Sequence, residues 1–380
     1  MTGKERVLTS LEHREPDRVP LDLGSTPFTG VHKQAYAQLV GHLGLEVEIR
    51  VWDPLQQLAY VDDNVKERLQ VDVTGVGGRD PSFWKSTIVD KGDGSKEYLD
   101  GWGITRVMGK DALYFDRVLP PLAGLHSEEG LESVKFPPPN DFLEVENLIA
   151  ALRREREQER ALVLVLDGET IGKAVLTVGF TNFYMSLARR PRVACALMDK
   201  VVDQKIAIWE MVLAKLDFPV DVVAEADDFG SQDRLLIAPD LYRKLMKPRQ
   251  KRLFSFIKRH VPGAKLFYHC CGAIRPIIPD LIELGVDILN PVQVDAAGMD
   301  PQGLKREFGG ELVFWGGAIR NAVLTNGSPA EVQEEVKRNL DALAPGGGYV
   351  FATIHNIQPE VPPENLLAMW EALERYARYS

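Results

Sequence analysis

The chain has 380 residues, 45% of them hydrophobic and 26% charged, and a net charge of −10. That balance is typical of a globular chain with enough apolar residues for a large core, and its acidity argues against nucleic acid or an anionic membrane surface as the main partner. Three cysteines, Cys195, Cys270 and Cys271, are too few and too close in one case for a disulfide framework, so a reducing, cytoplasmic setting is expected.

The first residues, MTGKERVLTSLEHREPDRVPL, are charged throughout and lack an apolar signal core, and no run of 18 apolar residues occurs; no membrane span is expected. From there short β-branched runs recur, each ending at or near Gly, Asp, Asn or His. They are RVPLDLG (18–24), VDVTGV (71–76), ALVLVLDG (161–168), VDVVAEADDFG (220–230), AKLFYHCCG (264–272), VDILNPV (286–292), LVFWGG (312–317) and YVFATIH (349–355). Amphipathic segments with apolar residues at three- and four-residue steps separate many of them. The clearest are 191–216 and 328–344, the latter opening on Ser328 as N-cap and Pro329 at the first helical position. Runs that are apolar on both faces suit a parallel sheet covered by helices. Eight such strands alternating with helices predict an α/β chain folded as a (β/α)8 TIM barrel, in one domain over residues 1–380. The interval of about 77–160 breaks the alternation. It reads as an insertion over one barrel end, with a hairpin around Gly92-Asp93-Gly94, the linker FPPPNDF (136–142) and a helix over 145–160.

In a barrel, alternate side chains of each strand face inward and chemistry sits at the strands' C-terminal ends. In LFYHCCG, Phe267, His269 and Cys271 share one parity, and Tyr268 and Cys270 share the other. His269 and Cys271 are then the last inward pair, and Cys270 behaves as a small buried hydrophobe. An imidazole and a thiolate aimed at one point suit zinc, although a thiol nucleophile and plain core packing are the other readings of such a cluster. Two more strand ends add donors. Glu225 and Asp227 share a parity at the fourth strand's tip, where unpaired acids are expensive to bury; they are candidates for a ligand or proton carrier, unless they cap a helix or sit in salt bridges. His355 stands at the last strand's tip, sharing parity with Phe351 and Thr353. Phe267, Phe351 and Trp315 are candidates to wall an apolar substrate pocket or to pack the core, and Asn290 at the sixth strand's tip is a further substrate-binding candidate. Gly316-Gly317 followed by Arg320 could receive an anionic group, whereas Gly346–Gly348 reads as a helix stop.

Long stretches of the chain, in order, resemble the uroporphyrinogen decarboxylase superfamily: LEHREPDRVPLDLG, GFTNFYMSLARRPR, ADDFGSQDRLLIAPDLYRKLMKPR, HCCGAIRPIIPDLIELGVDILNPVQ and PGGGYVFATIHNIQPEVPPENLLAM. The resemblance implies a (β/α)8 barrel. It is closer to the corrinoid-dependent methyltransferases than to the porphyrinogen decarboxylases, whose arginine-rich N-terminal segment is replaced here by GSTPFTGVHKQAYAQL, without an arginine. The methyltransferase branch has a His-x-Cys-Gly motif, matched by His269, Cys271 and Gly272, in which the His and Cys bind zinc. Its third ligand, a cysteine near the C-terminus, is matched here by His355. The resemblance thus implies zinc on His269, Cys271 and His355, with Glu225 or Asp227 as fourth ligand or proton carrier. It also implies methyl transfer between a small-molecule donor or acceptor, such as a methyl ether or thiol, and a cobalamin. The chain has no Asp-x-His-x-x-Gly motif, so the corrinoid is expected on a partner protein docked over the barrel mouth. The alternative is a metal-free decarboxylase of another acid, with His355 and Asp227 handling protons.

Overall fold

The computed structural model describes residues 1–125 and 127–379. Its centre is a curled parallel sheet of seven strands. In chain order these are β1 (Val73–Gly78), β2 (Ala161–Glu169), β3 (Val222–Ala226), β4 (Lys265–His269), β5 (Ile288–Asn290), β6 (Val313–Trp315) and β7 (Tyr349–Val350), each paired with the next. The first expected strand, 18–24, lies between the two sheet edges and links them by single bonds. Asp22 N–H donates to Phe351 O at 2.9 Å, Phe351 N–H to Pro20 O at 2.8 Å and Asp72 N–H to Leu21 O at 2.8 Å. No regular ladder forms there, because Pro20 has no N–H and Leu21 N–H is taken by the Asp72 carboxylate at 2.8 Å. The ring is therefore closed on the (β/α)8 plan, with the first position occupied by an irregular segment.

Alternation along each strand makes two apolar layers. Val163, Val165, Val222, Ala224, Phe267, Ile288, Val313, Trp315 and Val350 fill the interior. Leu164, Val223, Leu266, Tyr268, Leu289, Phe314 and Tyr349 belong to the larger layer under the helices. The helix Pro191–Leu213 begins with a proline at its first turn, and Pro329–Leu343 has the Ser328–Glu331 capping box and Pro329 that its sequence predicts. Between β1 and residue 143 the chain makes an antiparallel four-stranded meander: Thr87–Asp90, Lys96–Leu99, Thr105–Met108 and Arg117–Leu119. The expected hairpin is its first turn, where Gly92 and Gly94 both take positive φ. Tyr98 and Phe115 of this region pack with Leu55 in a small cluster of their own. The helix Val145–Arg156 packs on β1 and β2 and serves as their crossover.

Candidate active site

β4 brings Phe267 and His269 to the inner face, His269 at the rim. The next residues keep the direction for one step: Cys270 N–H donates to Asn290 O at 2.7 Å, and Cys270 is fully buried on the outer side. Cys271 N–H then donates to Asp228 Oδ1 at 3.1 Å, and Gly272 turns the chain at φ +89°, where a Cβ would come within 2.5 Å of the Gly230 backbone. That turn holds Cys271 Sγ 3.3 Å from His269 Nε2. His355 arrives from the segment after β7, its ring centroid 5.4 Å from that of His269 at 74°. One donor atom each from His269, Cys271 and His355 lies within 4.8 Å of the other two. This is the trio expected from the sequence, assembled from two distant parts of the chain.

Hydrogen bonds fix the rings. Asn290 Nδ2 donates to Trp315 O at 2.9 Å, which leaves Asn290 Oδ1 to accept from His269 Nδ1 at 2.5 Å. His269 Nε2 is therefore a bare lone pair facing Cys271, and Phe28 stacks on the ring at 4.0 Å. Asn290, expected to touch substrate, instead orients His269. His355 is prepared differently: its Nδ1 accepts Asn356 N–H at 2.8 Å, which puts the proton of the neutral ring on Nε2, so metal binding there must displace one or the other. Burial, and then repulsion from His269, lowers the His355 pKa to about 3, and burial also lowers that of His269. Both rings are neutral near pH 7, the form that binds metals. Burial, followed by Asp228, raises the Cys271 thiol well above its usual range; the thiolate needs a cation beside it. Two ligands on one tetrahedral zinc, at bond lengths of about 2.3 Å for sulfur and about 2.0 Å for nitrogen, stand about 3.5 Å apart. The 3.3 Å between Sγ and Nε2 is close to that, and the soft sulfur with two imidazoles is a zinc-type donor set. The residues fit the ion.

The acids lie elsewhere than expected. The inward residues of β3 are Val222, Ala224 and Ala226, so Glu225 faces the helices. There it is fully buried, 2.9 Å from Lys205 Nζ and hydrogen-bonded by Thr170 Oγ1 at 3.0 Å. It is a partner for Lys205 and reaches neither metal nor cavity. Asp227 is buried at the cavity edge and accepts Ile171 N–H at 2.6 Å, Gly172 N–H at 2.7 Å, Tyr268 OH at 3.0 Å and Gln250 Nε2 at 3.1 Å. Desolvation still outweighs these four donors and raises its pKa to about 7. Asp227 thus anchors the start of the helix Gly172–Val178, a capping duty. The acid that reaches the mouth beside Cys271 is the exposed Asp228, one residue further on, which the reading of parity missed.

Above the trio is a cavity of about 410 Å³. His269, His355, Asp227 and Asp228 are in its floor and edge, Phe28, Leu176, Phe180 and Tyr184 line its apolar side, and Arg79, Arg106, Phe115 and Asp116 come from or beside the inserted meander. Phe267 and Trp315 lie in the barrel interior, packed edge to face at 5.4 Å, with Trp315 Nε1 donating to Asp22 Oδ2 at 2.9 Å; they are core and support, and do not line the cavity. Phe351 faces the outer layer, since Val350 of β7 and Ala352 just after it take the inward positions. Arg320 is clamped by Glu335 on the outer helix, at 2.7–3.1 Å, so it is not poised to meet an anion at the mouth. Nothing in the sequence marks Phe28, Arg79 or Arg106 as neighbours of His269; they meet only through the fold.

A closed parallel barrel with histidine and cysteine donors gathered at its mouth defines the class. Residues 104–376, well over half the chain, match the family model described as uroporphyrinogen decarboxylase (URO-D), and the chain belongs to that family. Among curated relatives it is 27% identical over 192 residues to a uroporphyrinogen decarboxylase of Geotalea uraniireducens, covering 50% of each protein. It is 25% identical over 264 residues to that of Alkalilimnicola ehrlichii, covering 66% of this chain and 67% of the relative. The match thus spans about half the length of several of these relatives. In fold the chain is similar to a methyltransferase from Methanosarcina mazei, with a TM-score of 0.67 over 99% of both chains at 19% identity. No helix among the described residues is long and apolar enough to cross a membrane.

Proposed function

We propose that the protein is a zinc-dependent methyltransferase that moves a methyl group between a small-molecule donor or acceptor and a corrinoid carried by a partner protein. The observation that carries this reading is the meeting of His269, Cys271 and His355 within 4.8 Å, with the two histidines lining a cavity large enough for a small molecule. Zinc held by these three side chains would keep an open position at which a thiol is held as thiolate or an ether oxygen is polarised. Asn290 keeps the His269 lone pair aimed at that point, and Phe28 stacked on the ring shields it from water. Asp228, at the rim beside Cys271, is the carboxylate placed to exchange a proton with the substrate, in place of Glu225 and Asp227. Exposed Tyr114, Phe180 and Leu236 around the cavity offer a partner protein an apolar rim to dock on. The fold shared with a Methanosarcina protein called a methyltransferase is consistent with this assignment.

The second reading, a metal-free decarboxylase, is favoured by the names of the curated relatives. Against a porphyrinogen substrate stands the arginine-free segment Gly24–Leu39, in which Phe28 presents a ring to the site. Metal analysis of the purified protein separates the two. One zinc per chain in the wild type, lost in both His269→Ala and Cys271→Ala, together with methyl exchange with free cobalamin, is the expected result. Metal-free protein that decarboxylates an acid overturns the proposal.

A further inference from the structure

We infer that Arg106 and Arg79 form a carboxylate-binding fork in the cavity wall, so that the small molecule taken above the metal centre is a monocarboxylate with an apolar body. This rests on the reading above only for where the substrate sits. Both side chains are nearly sealed from solvent, at 5% and 9% exposure, and both line the cavity whose floor holds His269 and His355. Each guanidinium has five N–H donors, and few are used. Arg106 donates from Nη1 to Asp100 Oδ2 at 2.9 Å, while its Nε and Nη2 have no hydrogen-bond partner among the described residues. Arg79 makes two long bonds, Nη1 to Asp53 at 3.2 Å and Nη2 to Glu169 at 3.3 Å, and its Nε is buried with no partner. A buried donor left unmade is costly, so Arg79 Nε calls for an acceptor, and the unused Nε and Nη2 of Arg106 stand on the same cavity wall to share it.

The acids nearby are engaged in part, although Glu169 Oε2 is buried with no hydrogen-bond partner and lies 3.8 Å from Lys173 Nζ. Asp53 Oδ1 accepts Leu55 N–H at 2.9 Å and Gln56 N–H at 3.1 Å. Asp100 Oδ1 accepts Trp102 and Ile104 N–H, both at 2.9 Å, and Asp167 is held by Lys173 Nζ at 2.9 Å. The wall contains Arg79, Arg106 and Lys173 against Asp53, Asp100, Asp167 and Glu169, so it has no surplus of positive charge. Recognition here is directional: a planar carboxylate that meets a guanidinium edge with two oxygens is favoured over a spherical anion. Phe28, Phe115, Phe180, Tyr184 and Leu176 supply the apolar surface for the rest of the molecule. Arg106 is on the third strand of the meander and Arg79 follows β1, so the inserted region writes specificity onto the barrel.

The test is calorimetric titration of the full-length, zinc-loaded protein with benzoate, benzamide and benzylammonium, in buffers with and without chloride. Benzoate is expected to bind at least about 10-fold more tightly than benzamide, with little competition from chloride. In Arg106→Gln that preference disappears while benzamide affinity and zinc content stay unchanged. Arg106→Lys, which retains an ion pair with Asp100, keeps the fold if the glutamine variant loses it and still loses about 10-fold for benzoate, since an ammonium has no fork. The inference is overturned if benzamide or benzylammonium binds as well as benzoate, if Arg106→Gln and Arg106→Lys keep the preference, or if no probe binds at about 10 mM. Loss of zinc in the wild type would instead count against the metal reading, not against the fork.

Discussion

β3 and β4 run side by side in register, Ala226 opposite His269 and Glu225 opposite Tyr268. Both end in groups that could do chemistry, yet only β4 has one on the inward parity of the strand itself. On β4 the inward parity contains Phe267 and His269, and the turn at Gly272 adds Cys271. On β3 the inward parity contains Ala224 and Ala226, small residues beside the bulk of Phe267 and Trp315. Glu225 therefore falls on the helix side against Lys205, while Asp227, just past the strand, is held at the cavity edge by Tyr268, Gln250 and two backbone N–H groups. A polar residue at a strand end is a site residue only when its parity opens to the mouth; on the other face the same residue is a joint between sheet and helix.

The sharpest way to break this comparison is to remove one partner of the β3 joint. Glu225→Leu leaves Lys205 charged and buried, and is expected to cost about 3–5 kcal/mol of unfolding free energy, read from denaturant midpoints. The double variant Glu225→Leu/Lys205→Met should recover most of that loss and leave zinc binding intact. A Glu225 variant that stays stable but loses metal would move this acid from joint to site. On the β4 side, Asn290→Ala frees the His269 ring and is expected to weaken zinc affinity about 10–100-fold, or roughly 1.4–2.7 kcal/mol, measured by competition with a chelator. An unchanged affinity would mean that His269 needs no orienting partner. The smallest effect is expected at Arg320, whose guanidinium is half exposed: Arg320→Ala should lower stability by about 1 kcal/mol or less through Glu335 and leave turnover untouched. A rise in KM in that variant would return Arg320 to the substrate.

Much of the design is legible in the chain. The alternation in AKLFYHCCG places Phe267 and His269 inside and Tyr268 and Cys270 outside, as found, because a residue's side of a regular strand follows from counting by two. The same count fails at the other two tips. VDVVAEADDFG offers two opposite sets, and nothing local says that the alanines and not the acids take the inner face; the bulk of Phe267 on the neighbouring strand decides it. YVFATIH leaves its ladder after Val350, so parity no longer carries to His355, which still reaches the trio through the turn that follows.

The sequence by itself determined the barrel class and the His269–Cys271 pair, since periodicity and a two-residue spacing are local properties that strand geometry converts directly into facing side chains. The approach of His355, the retreat of Glu225 to the helix face, the anchoring of Asp227 at the cavity edge, and the placing of Arg79 and Arg106 in one cavity wall with the two histidines were decided only by tertiary structure. Each depends on how distant segments fill space around one another, and no short stretch of chain encodes the shape of its future neighbour.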